Sequence, residues 1–170
     1  MDYPMIIARV LHIGLGVFWA GAMIFMAVYV VPSIRDAGPD GAKVVAGFAK
    51  RRMLDVMPLV ALITLISGTY LYQRASGGWV PEYMRSLPAN VIGVGGLAGI
   101  LAFIVGVAVV RPSMKKAMGL AQSAGGASAE AREGIMAQAG ALRARAASAG
   151  KVVAWLLAGA TIAMAVARYV

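Results

Sequence analysis

The chain has 170 residues, 61% of them apolar and 14% charged, with a mean hydropathy of +0.78 and a net charge of +9. A soluble domain of this length is nearer half apolar and a quarter charged. Here the excess falls into four blocks of membrane-spanning length, which excludes a soluble enzyme as the default. With no cysteine, disulfides, iron–sulfur clusters and thiolate metal sites are excluded too. The positive charge calls for no nucleic-acid partner, because basic cytoplasmic loops on a lipid bilayer explain it.

The first span, about 5–31, contains only Arg9 and His12 as ionisable residues and would extend roughly 40 Å as a helix. It is too long and lacks the basic start of a cleaved signal, so it reads as a retained helix. Spans at about 56–72, 91–110 and 152–168 follow, free of charge apart from Arg168 near the last end. The connecting segments 32–55 and 111–151 carry twelve of the sixteen Lys and Arg residues, leaving Arg9, Arg74, Arg85 and Arg168 for the other face. Positive-inside bias therefore predicts a bacterial inner-membrane protein with cytoplasmic loops and both termini periplasmic. Tyr3, Tyr70, Tyr72, Trp79, Tyr83 and Tyr169 would then form an outer aromatic belt.

Both loops are expected to extend the helices. Gly38-Pro39-Asp40 suits a turn, with Asp40 capping a helix that runs into the second span. Gly125-Gly126 separates two Ala-rich segments, the second with Ile135, Met136, Ala139, Leu142 and Ala146 on one stripe. The Ala/Gly/Ser-rich stretch 121–129 reads as a flexible linker. Asp55 is expected to pair with the neighbouring Arg51 and Arg52, and no internal repeat stands out. The expected fold is all-α: an integral membrane four-helix bundle with cytoplasmic helical extensions, one transmembrane domain over 1–170, and sequential spans packed antiparallel.

His12 is the only histidine and lies about 13 Å below Tyr3 at 1.5 Å per residue. An imidazole at that depth either bridges helices as a neutral hydrogen-bonding group or ligates a metal. Arg9 shares its face one turn nearer the surface, and Leu15, Gly16, Trp19, Met23 and Met26 continue that face inward. The third span offers Gly93, Gly96 and Gly99 at i, i+3 spacing. Such small residues allow close helix packing, or a slot for a flat macrocycle beside the imidazole. In the second case Arg9 and Arg168 would pair with two propionates, Trp19 would wall the pocket, and Met164 would be at a depth suited to a second axial ligand. Other arrangements are a five-coordinate iron, or one haem shared by His12 from two protomers. Eleven methionines make copper the competing metal. No phosphate loop, HExxH or GxSxG motif occurs, and no carboxylate sits in mid-span, which argues against carboxylate-based proton coupling.

The first span reads Leu11-His12-Ile13, then Trp19-Ala20-Gly21 and Phe25. This resembles the LH-x6-W-x-G opening of copper-resistance D-type membrane proteins and the related first helix of HemJ-type protoporphyrinogen oxidases. Leu62 to Leu71 of the second span is similar to the small-Gly-aromatic helix end that follows in such proteins, and Met164 to Tyr169 is in keeping with their small members. The resemblance implies a four-helix core and carries the family's helix-one histidine onto His12 as a haem b ligand. The HemJ-type pattern has a further histidine just after the first helix, where this chain reads Val31-Pro32-Ser33-Ile34-Arg35. The leading expectation is a small inner-membrane haem protein, a membrane oxidoreductase or redox subunit acting in electron transfer or haem handling. The alternatives are a cofactor-free accessory subunit of a larger membrane complex, or a copper or small-solute transporter. A homodimer is one further expectation.

Overall fold

The computed structural model describes the backbone of residues 1–170 and every side chain except that of Pro39. Among the described residues four helices are long and apolar enough to cross a membrane: α1 (Tyr3–Asp36), α3 (Met53–Ala75), α5 (Leu87–Gly126) and α6 (Ala129–Tyr169). Two shorter helices connect them, α2 (Gly41–Lys50) after the first and α4 (Pro81–Met84) before the third. The chain is thus an all-α membrane bundle. α1 packs on α3 and α5 on α6, while α1 also meets α6 and α3 meets α5, which closes a ring of sequential antiparallel neighbours. Its centre is a cluster from all four spans: Trp19 and Ala20, Ala61, Ala102, and Val153 with Leu157. Alanines at the crossing let the backbones approach, which is how spans gain dispersion contacts when lipid supplies no hydrophobic drive.

Proline sets the local geometry of three spans. A proline inside a helix removes one N–H and clashes with the carbonyl four residues back. In α1 a wide turn over Met26–Val30 precedes Pro32, closed by Val31 N–H donating to Met26 O. In α5 the same turn over Gly106–Val110 precedes Pro112, closed by Arg111 N–H donating to Gly106 O. Both bonds reach five residues back, the π-type spacing that makes room for the ring. Val-Val-Pro-Ser and Val-Val-Arg-Pro-Ser therefore do the same work in the first helix of each hairpin, a likeness too short to stand out as a repeat in the sequence. In α3, Pro58 leaves Leu54 O without its helical donor, and Arg111 Nε of α5 takes that carbonyl at 3.1 Å.

The same Arg111 holds Asp55 at 2.8 Å, with Lys115 also at 2.8 Å. Asp55 thus pairs across to α5. Its expected neighbours contribute little: Arg52 is at 4.0 Å, and Arg51 donates to Gly47 O. The reason is direction, since a first-turn side chain of α3 projects toward the adjacent helix. The first loop also departs from expectation. Asp40 makes no side-chain cap and pairs with Lys43 at 2.7 Å. α2 does not run into α3, because Arg52 at φ 55° breaks the helix between them. Nor is 121–129 a slack linker. A 3-10 turn over Ala124–Gly126 leads to Ser128, whose hydroxyl accepts from Ala131 N–H as an N-cap. Ala117, Ala124, Ala139 and Ala146 are buried where the two long helices run together beyond the bundle.

At the end that carries the termini, Asp2 caps α1 by accepting from Met5 N–H and ties it to Arg74 of α3 at 2.7 Å. Tyr72, Trp79 and Tyr83 pack edge-on with ring centroids 5.6 and 6.2 Å apart, and Tyr72 donates to Ala89 O.

Two outcomes follow from this geometry. Arg111→Met should lower the melting temperature by leaving Leu54 O and Asp55 short of a donor, about 1 kcal/mol for the carbonyl alone. Pro58→Ala should recover part of that loss by restoring the helical N–H, and strict additivity in thermal melts would contradict the coupling. The backbone N–H of Met5, aided by Arg74, holds the Asp2 carboxyl below its ordinary value. Its contribution is therefore present above the ordinary carboxylate range and lost as pH falls through the lowered value. Protection factors for amide exchange at Met5 and Ile6, taken relative to the intrinsic rate at each pH, should fall in acid, and Asp2→Asn should remove that acid step.

Candidate functional site

His12 lies between α1 and α3. Its Nδ1 donates to Thr64 O at 2.9 Å; a carbonyl only accepts, so Nδ1 carries the proton and Nε2 the lone pair of the uncharged ring. Thr64 O is exposed to a sideways donor by its own helix face, which is built from Thr64, Ser67 and Gly68 at i, i+3 and i+4. Thr64 Oγ1 turns back to Val60 O at 2.9 Å. Ser67 Oγ donates chiefly to Ile63 O at 2.7 Å and leans on Thr64 O at 3.1 Å. Both hydroxyls are buried and satisfied within α3, so neither competes for the imidazole.

Gly68 makes the room. A Cβ there would stand 2.6 Å from His12 Cε1 and 2.8 Å from Nδ1, closer than atoms can sit. One turn along α1, Gly16 returns the arrangement by receiving the Thr64 methyl, 3.4 Å from where its own Cβ would be. The two helices thus fit large onto small in both directions, in the antiparallel register that also brings Asp2 to Arg74. Nε2 takes no hydrogen bond among the described residues and is not sealed inside the protein. It is the one imidazole atom free to bind something else.

The other residues of the expected haem site are placed as follows. Arg9 is exposed one turn above His12. Trp19 is buried at 5% exposure in the central cluster, two turns below. Met164 belongs to the other hairpin, its methyl 3.3 Å from where a Cβ on Gly95 would stand. Arg168 lies over the Tyr169 ring at 5.0 Å. The structure brings His12 together with Thr64 and Gly68; Met164 packs toward Gly95 and Arg168 over Tyr169. On α5 the tight contact with α6 is made by Gly95, against Ala160, Ala163 and Met164, whereas Gly96 faces open space. Among the described residues no three His, Asp or Glu side chains gather as a metal-binding group.

Sequence reasoning named His12 and missed its seat. The signal was present in the Thr64, Ser67, Gly68 face, small polar residues and a glycine at helical spacing in an apolar span. No family model, curated protein or solved structure matches the chain, so its function is argued from its own geometry.

Gly68→Ala should push the imidazole off Thr64 O. Nitrogen NMR of the single histidine should then change from one Nδ1–H tautomer to a mixture, while Thr64→Val, which keeps the carbonyl, should leave the tautomer unchanged.

Proposed function

We propose that the protein is a small bacterial inner-membrane haem protein in which His12 Nε2 is an axial ligand to the iron. The observation that carries this is the Nδ1–H bond to Thr64 O, with Nε2 left free. Metal-binding histidines characteristically donate their second ring N–H to a carbonyl or carboxylate, which fixes the tautomer and raises the basicity of the ligating nitrogen. A lone imidazole suits haem better than a bare ion, since the macrocycle brings four of the iron's ligands with it. The twelve basic residues gathered in the loops support a cytoplasmic loop end.

The fit extends to the surroundings of the ring. Neither of the two described cavities includes His12, so a flat group would lie outside them, at the edge of the α1–α3 contact where Nε2 opens. Arg9 stands on the same helix one turn nearer the surface, within the reach of a propionate. Haem bound there would supply one-electron redox chemistry. The chain would supply the axial nitrogen, hold its tautomer through Thr64 O, and keep the ring in place over Gly68. One His12 would supply one ligating nitrogen to such a group; a second copy of α1 would supply another.

The test is an oxidised and reduced absorption spectrum of the protein purified in detergent, beside His12→Ala. A Soret band that disappears in the variant is expected. Sharp low-spin bands in the reduced protein would identify a second ligand, and high-spin bands the five-coordinate form. Full haem stoichiometry in His12→Ala, or a wild type that stays colourless with added haem, would overturn the reading.

A further inference from the structure

A cavity of about 1,020 Å³ opens at the loop end of the bundle, floored by Trp19, Ala61, Ala102 and Val153 and walled by α1, α2, α3, α5 and α6. Its size is at the upper end for small-molecule sites. The lining combines two chemistries that seldom meet without purpose. Seven of the eleven methionines line it, three pairs on α1, α3 and α5 and one on α6. Thioether side chains of this kind form an adaptable apolar wall. Five cations line it as well, and no carboxylate does.

One of the five, Arg111, is already committed to Asp55 and Leu54 O. The other four are Arg35, Arg132, Arg143 and Lys151, and among the described residues none has a carboxylate within 4.0 Å. Arg143 decides the matter. Its Nε is enclosed and has no hydrogen-bond partner, alone among the enclosed side-chain nitrogens and oxygens of the described residues. An enclosed N–H is out of a ligand's reach, but the Nη atoms of Arg143 are neither enclosed nor hydrogen-bonded among the described residues, and a guanidinium matches phosphate oxygens in a planar fork.

From this geometry we infer that the cavity binds an anionic phospholipid, its acyl chain against the methionine wall and its phosphate at Arg143, in the positive field of Arg35, Arg132 and Lys151, which line the same cavity. The site is independent of His12. Its level supports a lipid over a water-borne anion, because the cavity runs from the central cluster of the bundle to the basic loops, the path an acyl chain and its headgroup take in one leaflet.

Trp19 on the floor is the reporter, since the other two tryptophans, Trp79 and Trp155, are exposed and can be changed to Phe. The probe is the full-length W79F/W155F protein in nanodiscs containing acyl-brominated phosphatidylglycerol or phosphatidylcholine. Brominated phosphatidylglycerol should quench Trp19 at a mole fraction about tenfold lower than phosphatidylcholine, which presents the same phosphodiester but adds a choline cation that the unpaired cations of the lining repel. Arg143→Gln should abolish most of that preference without changing the melting temperature by more than a few degrees. Equal quenching by the two lipids, quenching by brominated palmitate alone, no quenching, or a preference that survives Arg143→Gln would each overturn the assignment.

Discussion

The contact on which the first hairpin turns is a side-chain N–H meeting a backbone carbonyl inside an apolar layer. His12 reaches Thr64 O only because Gly68 has no side chain, while the Thr64 methyl packs at ordinary contact distance over Gly16. Interhelical hydrogen bonds in membranes contribute about 0.6 kcal/mol on average, so the bond adds little to stability by itself. A role for the other ring nitrogen gives the residue a reason to be present.

Away from His12, local adjustments accommodate the prolines. Two π-type turns seat Pro32 and Pro112. Arg111 replaces the donor that Pro58 lacks and neutralises Asp55 in the same motion. Against that background of satisfied groups, the enclosed Nε of Arg143 is conspicuous. It lies on a second site, at the opposite end of the bundle from the aromatic cluster. The central cluster around Trp19 separates the cavity from the level of His12, so the imidazole and the chamber are distinct places in the bundle.

The spans were legible in the sequence because length and apolar content are properties of the chain itself. Each of the four appears in the structure, and the Gly125-Gly126 break falls in the 3-10 turn over Ala124–Gly126. What escaped depends on partners distant in sequence. Asp55 stands beside two arginines in the chain and binds a third from α5. Gly68 reads as one small residue among many until the imidazole of α1 is laid across it. Met164 is at a fitting depth, but depth along a helix says nothing about azimuth, and its face belongs to Gly95. The methionines of the loop end are far apart in the sequence, and the fold gathers them around one chamber.

The central claim concerns one nitrogen atom, and the chain's single histidine makes it directly observable. Zinc protoporphyrin is diamagnetic and takes one axial imidazole, so it can be titrated into protein labelled with ¹⁵N-histidine and followed by NMR. We expect the Nε2 resonance to move on binding while Nδ1 keeps its proton and its bond to Thr64 O. Movement confined to Nδ1, or no change in either nitrogen at saturating porphyrin, would contradict His12 Nε2 as the ligand.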